Sequence, residues 1–89
     1  MLAQVGLDRK QRIQKIVKEN AGLGPASEQV NDSSNLYQAG MTSYASVALM
    51  IALENEFDLE FPDGMLSRNV FESIDSIANA IESLQQVEQ

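Results

Sequence analysis

Eighty-nine residues suffice for one small domain, taken as a single unit over residues 1–89. With 44% apolar residues and a net charge of −7, the chain reads as a folded acidic globule, not a disordered segment. It has no cysteine and no histidine, which excludes disulfides, thiolate chemistry, zinc–thiolate sites and every arrangement built on imidazole.

A first helix is predicted over about Asp8–Asn20, with a start near Ala3 equally compatible. Asp8 is the candidate N-cap, and Gln11 three positions later has capping-box spacing. Ile13, Ile16 and Val17 mark its apolar face, Leu7 packs at the entry, and Gly22 within GLGP stops it. Its basic residues Arg9, Lys10, Arg12, Lys15 and Lys18 bring residues 1–20 to +3, whereas residues 21–89 carry −10 with Arg68 as their single base. The basic segment fits the polar face of a helix better than a nucleic-acid arm. The acidic body repels phosphate backbones and anionic lipid, so neither nucleic acid nor membrane is an expected partner. MLAQVGLDRK lacks a signal-peptide pattern and no apolar run reaches bilayer-spanning length, so the expected location is cytoplasmic.

From Ala21 to Met41 the turn formers Pro25, Ser27, Asn31, Asp32, Ser33, Ser34 and Asn35 predict a long loop, anchored by Leu23, Val30 and Leu36. The second helix is predicted over Ser43–Phe57, capped by Thr42 or Ser43. Val47, Met50, Ile51, Leu53, Glu54 and Phe57 are assigned to one face, apolar apart from Glu54 and broadened by Leu49. Met50, Ile51 and Phe57 are core or line a small cavity between helices. Pro62 ends helical continuation in DLEFPDG, and a short third helix is expected over Asp63–Asn69 with Met65, Leu66 and Val70 facing inward. The fourth begins at Ser73, with Asp75 in its first turn and a stripe of Ile74, Ile77, Ile81 and Leu84; it frays in QQVEQ. The expected fold is all-α: a small four-helix bundle of three longer helices and a short third, with a long loop between helices one and two.

Little chemistry survives inspection. An EF-hand starting at Asp58 would need glycine and glutamate where Asp63 and Asn69 stand. No phosphate-binding glycine loop is present, and Glu54 with Asp58 reads as a solvated pair. No catalytic residues and no metal site are therefore expected, and the chain is not expected to be an enzyme. Ser43 is the exception of interest. It stands at the start of a helix, where free N–H groups and the dipole favour an attached phosphate, and Gly40 lets the chain turn sharply into it. By itself the same serine is more simply read as a plain helix cap.

The run LYQAGMTSYASVALMIALENEFDLEFPD, residues 36–63, resembles the centre of an acyl carrier protein. Leu36, Gly40, Met41, Ser43, Val47, Leu49, Leu53, Glu54, Glu56, Phe57, Phe61 and Pro62 fall at the family's pattern positions, and FESIDSIANAIESL resembles its last helix. The likeness extends over roughly residues 7–85. It implies a four-helix bundle whose serine, here Ser43, carries covalent 4′-phosphopantetheine installed by a phosphopantetheinyl transferase. The thiol of that arm holds a cargo as a thioester, so a chain without cysteine borrows one. Thr42, Tyr44, Val47 and Phe71 are implied as neighbours of the arm or contacts of its enzymes. The implied partners are the transferase, a cargo-loading ligase that activates an acyl group or amino acid, and a downstream acyl-transfer enzyme; the carrier itself is expected to be a monomer.

Departures from the family pattern narrow the reading. Thr42 replaces the usual aspartate and Tyr44 the usual leucine. Ala45 and Ala48 stand where fatty-acid carriers place acids, and Met41–Leu53 holds no charge. The neutral helix is similar to that of peptidyl carriers and of stand-alone carriers charged by ligases related to aminoacyl-tRNA synthetases. A specialised acyl or aminoacyl carrier thus fits better than the general carrier of fatty-acid synthesis. The alternative is an arm-less helical adaptor derived from a carrier, favoured only by Thr42.

Overall fold

The structure, a computed structural model, describes residues 5–87, and side chains over residues 9–85. Among the described residues every regular element is helical: α1 (Val5–Asn20), α2 (Leu36–Ala39), α3 (Ser43–Phe57), α4 (Arg68–Phe71) and α5 (Ile74–Val87). Two 3-10 turns, Gly24–Gln29 and Asp63–Met65, lie in the connections. The long helices α1, α3 and α5 with the short α4 form the expected bundle, and α2 is a single turn within the long loop. No helix among the described residues is long and apolar enough to cross a membrane.

Helix α1 packs against both α3 and α5, burying Ile13, Ile16 and Val17. It begins at Val5, so Asp8 lies inside the helix and is not its N-cap. The packing expected of Leu7 concerns a side chain outside the described ones. Gly22, at φ +70°, ends the helix in the left-handed region where a side chain would be strained.

The long loop is less irregular than the sequence suggests. Leu23 and Leu36 are buried and Val30 half-buried, as expected. Two backbone hydrogen bonds then sew the loop to the far end of the chain: Leu36 N–H donates to Glu72 O (2.6 Å) and Asp75 N–H to Asp32 O (3.0 Å). Lys10 Nζ pairs with Asp75 (2.9 Å) and lies 3.6 Å from Asp32, while Gln14 Nε2 donates to Asp32 (3.0 Å). Asp32 thus joins α1, the loop and the start of α5. The hydrogen bond and charge of Asp75 hold the Lys10 ammonium above its ordinary pKa.

Helix α3 buries Leu49 and Leu53 completely. The sequence places Val47 and Ile51 on its core face, but the structure turns them outward, 52% and 49% exposed. The reason is in the composition: α3 is apolar nearly all round, so periodicity does not select which stripe is buried. Its end is defined by Asp58, a non-glycine residue at φ 53°, and by Glu54, whose carboxylate accepts from Phe61 N–H at 2.9 Å. That bond folds the acidic connection back and sets Phe61 into the core, edge-on to Phe71 at 5.2 Å between ring centroids. Phe57 lies half-buried beneath Arg12, whose guanidinium sits 4.4 Å from the ring centroid.

The short helix predicted over 63–69 divides into the 3-10 turn and α4. Met65 and Val70 are half-buried, but Leu66 faces out at 48% exposure, because the break at Ser67 ends one turn before the next begins. Ser73 caps α5 as expected, its Oγ accepting from Ser76 N–H (3.0 Å), while Ser76 Oγ accepts from Ser73 N–H (3.1 Å). This reciprocal pair has the form of a capping box with serine in the glutamate position. Ile74, Ile77 and Ile81 are buried and Leu84 half-buried; the helix runs to Val87, and the fraying expected beyond it lies outside the described residues.

Candidate functional site

Ser43 is placed by a tightly built entry to α3. Gly40 ends α2 at φ +126°, a conformation suited to glycine, and donates to Tyr37 O at 3.1 Å. Met41 N–H donates to Leu36 O (2.9 Å) and its side chain is buried, which anchors the turn from inside. Thr42 then adopts extended backbone as N-cap, and its Oγ1 accepts from Ala45 N–H at 3.0 Å. Ser43 follows as the first helical residue, exposed, at the positive end of the α3 dipole.

A cleft of about 320 Å³ opens beside it. One wall is α3: Ser43, Ser46, Val47 and Met50, the spacing of one helical face. The step from Ser43 to Met50 carries the cleft roughly 10 Å along the helix at about 1.5 Å per residue. The facing wall is Tyr37 of α2 with Leu66, Ser67 and Arg68 at the entry to α4, and Phe71 closes the bottom at 5% exposure. Arg68 lies with its guanidinium carbon 3.9 Å from the Tyr37 ring centroid. It is the single charged side chain among the lining residues.

Of the residues singled out in the sequence, Ser43, Val47 and Phe71 meet at this cleft, whereas Thr42 is not among its lining residues and caps α3 next to Ser43. Tyr44 does not line it; at 86% exposure it stands on the outer surface of α3. There it joins Val47, Ala48 and Ile51 in an exposed stripe without charge. Ala48 is exposed and Ala45 half-buried, so only one of these two small residues is fully on the outer face. Ile51 does not line this cleft, whereas Met50 does. Sequence reasoning missed Tyr37, Ser46, Leu66, Ser67 and Arg68. Ser46 was recoverable from its place three residues after Ser43. The others depend on how α2 and α4 fold against α3.

A larger and more open hollow of about 530 Å³ lies elsewhere, between α1, the long loop and the start of α5. Its polar groups Lys10, Gln14, Asp32 and Asp75 already satisfy one another, so it offers a ligand little. Among the described residues no cluster of carboxylates suits a metal ion.

A family profile described as the phosphopantetheine attachment site matches residues 11–81. The chain belongs to this carrier family. It is also similar to an aminoacyl carrier protein from Agrobacterium fabrum, 39% identical over 69 residues that span 78% of this chain and 83% of that one. Its structure resembles that of a carrier protein from Agrobacterium tumefaciens, solved in complex with an engineered glycine:[carrier protein] ligase from Bradyrhizobium japonicum and ATP. That similarity has a TM-score of 0.79 at 36% identity, covering 84% of this chain and 97% of the other. A holo acyl carrier protein from Nitrosomonas europaea is similar at 26% identity and a TM-score of 0.72, over 90% and 96% of the two chains.

The cofactor of the carrier is therefore phosphopantetheine, and the residues around the start of α3 suit it. An exposed serine hydroxyl stands at the positive end of a helix, where a phosphate is favoured. A largely apolar channel leads away from it between Val47, Met50, Leu66 and Phe71, a surface against which a slender arm can lie.

Proposed function

We propose that this carrier bears its 4′-phosphopantetheine on Ser43 and receives an amino acid from an adenylating ligase, for delivery to a downstream acyl-transfer enzyme. Exposure and placement of Ser43 at the cleft mouth carry the reading. The neighbouring hydroxyls are less suited: Thr42 Oγ1 is occupied by Ala45 N–H, and Ser46 Oγ donates to Ser43 O at 2.6 Å. Ser43 Oγ supplies the nucleophile that takes the phosphopantetheinyl group from coenzyme A. Adenosine bisphosphate leaves, and the hydroxyl proton passes to a base of the transferase. Once attached, the arm supplies the thiol on which the cargo is held as a thioester. The chain contributes placement: Thr42 fixes the helix start, Phe71 and Phe61 hold the cleft floor, and the apolar lining keeps one side of the arm from water.

The aminoacyl cargo is supported by the likeness to the Agrobacterium carriers and by the uncharged outer face of α3, which suits docking through shape and apolar contact. The likeness to a holo acyl carrier supports a specialised acyl cargo as the second reading. One experiment orders these possibilities. The apo protein is incubated with coenzyme A, magnesium and a broad-specificity transferase, then weighed intact. The expected result is a gain of one phosphopantetheinyl mass, absent in Ser43→Ala. No gain with several transferases, the native one included, sinks the proposal in favour of an arm-less adaptor. Loading of the holo form with ATP and the cognate ligase, using amino acids or short carboxylic acids, then decides between the two cargoes.

A further inference from the structure

We propose that Arg68 is a positioning residue for the arm: its guanidinium holds the phosphodiester formed on Ser43 and directs the pantetheine into the cleft. This rests on Ser43 as the attachment residue.

Charge distribution is the first observation. Residues 21–89 contain eleven carboxylate side chains and one base, Arg68. A lone cation in such a chain ordinarily finds a carboxylate. Yet among the described residues the Arg68 guanidinium has no ion pair and no hydrogen bond; its recorded contact is the face of the Tyr37 ring at 3.9 Å. Residues 21–89 thus leave their single base without a carboxylate partner among the described residues, in the cleft that begins at Ser43.

Geometry is the second. A guanidinium lying over a ring uses its flat face for that contact, while its N–H donors point outward in its own plane. The contact with Tyr37 restrains the guanidinium without consuming its hydrogen-bond donors. Tyr37 is itself held by the turn that presents Ser43, since Tyr37 O accepts from Gly40 N–H. Arg68 and Ser43 both line the cleft, one from α4 and the other from α3, and none of the lining residues is acidic. Thr42 is neutral too, so no carboxylate next to Ser43 competes for the guanidinium. An apo protein holds one unpaired positive charge there; the phosphodiester brings the matching negative charge. Planar fork and phosphate oxygens suit each other better than an ammonium does.

The test compares the full-length apo and holo forms by NMR, after intact mass has established that the arm is present on wild type and absent from Ser43→Ala. Exchange of the Arg68 Nε–H proton with water is expected to slow in the holo form by about two- to fivefold, the size an exposed ion pair supports. The phosphorus resonance of holo Arg68→Gln is expected to move away from that of holo wild type, and holo Arg68→Lys to fall between them. A purely structural role, stacking on Tyr37 alone, would leave exchange equal in the apo and holo forms. If exchange is equal, or if the phosphorus signals of wild type and Arg68→Gln coincide, the proposal is wrong while Ser43 stands as the attachment residue. If no arm is gained at all, the attachment reading fails and this one with it. Circular dichroism of each variant confirms that the comparison is between folded proteins; Arg68 is exposed, and its replacement leaves the core intact.

Discussion

Thr42→Val tests whether the start of α3 is held by its cap. The substitution keeps the shape of the side chain and removes one acceptor, the Oγ1 that receives Ala45 N–H at 3.0 Å. Thr42 is exposed, so the freed N–H can hydrate and the full penalty of a buried orphan does not apply. The expected cost is therefore about 1 kcal/mol, mid-range for loss of an N-cap. With a urea slope of about 1 kcal/mol/M, suited to so small a domain, the unfolding midpoint should fall by about 1 M with the slope unchanged. Thr42→Ser keeps the acceptor and should stay near wild type. Thr42→Asp keeps it and adds a negative charge at the positive end of the helix, so it should be more stable by about 0.3–1 kcal/mol, a gain that salt removes. Urea titrations followed by circular dichroism give all four midpoints. A wild-type midpoint for Thr42→Val, or a lowered one for Thr42→Asp, would refute the capping argument.

Three further outcomes are expected. Phe71→Ala removes the cleft floor and the edge-on contact with Phe61, at a cost of about 3–5 kcal/mol, a large part of the total stability of such a domain; a thermal melt should show a greatly lowered or lost transition, while Phe71→Leu remains folded. Val47→Asp, at a position 52% exposed, should leave stability within about 0.5 kcal/mol yet impair loading by the ligase, read as a raised KM with unchanged gain of the arm in intact mass. Lys10→Met should lower the urea midpoint at neutral pH. Because the folded pKa of Lys10 is raised above 10.5, its stabilising contribution is complete below that pH and fades as pH rises through the folded value, so wild-type and variant midpoints should converge only above pH 10.5.

The parts of the fold legible in the sequence are those with local punctuation. The bounds of α3 match the expectation because Thr42 caps one end and Pro62 forbids continuation beyond the other. Ser73 and the isoleucine stripe of α5 were readable for the same reason. The orientation of α3 was not, since a helix apolar on most faces gives no preferred stripe; only packing against α1 decides that Leu49 and Leu53 go in while Val47 and Ile51 stay out. The order within residues 21–41 was hidden because bonds to Glu72 and Asp75 impose it, roughly forty residues away in sequence. The candidate site was half legible: Ser43 and its cap are local, but the wall opposite comes from α2 and α4. Arg68 was visible as a lone base, and its meaning was not, because nothing in the sequence says that it lies beside Tyr37.

The exposed stripe of Tyr44, Val47, Ala48 and Ile51 also bears on how molecules of this chain coexist in solution. A surface free of charge, which the proposed function offers to partner enzymes, is equally open to another copy of itself. The charge elsewhere, a net −7 with a sequence pI near 4.3, opposes such contact by mutual repulsion at neutral pH. The acidity of the body thus serves the neutrality of the helix. As pH falls towards the isoelectric point that repulsion fades, and contacts between one bare stripe and another are no longer opposed.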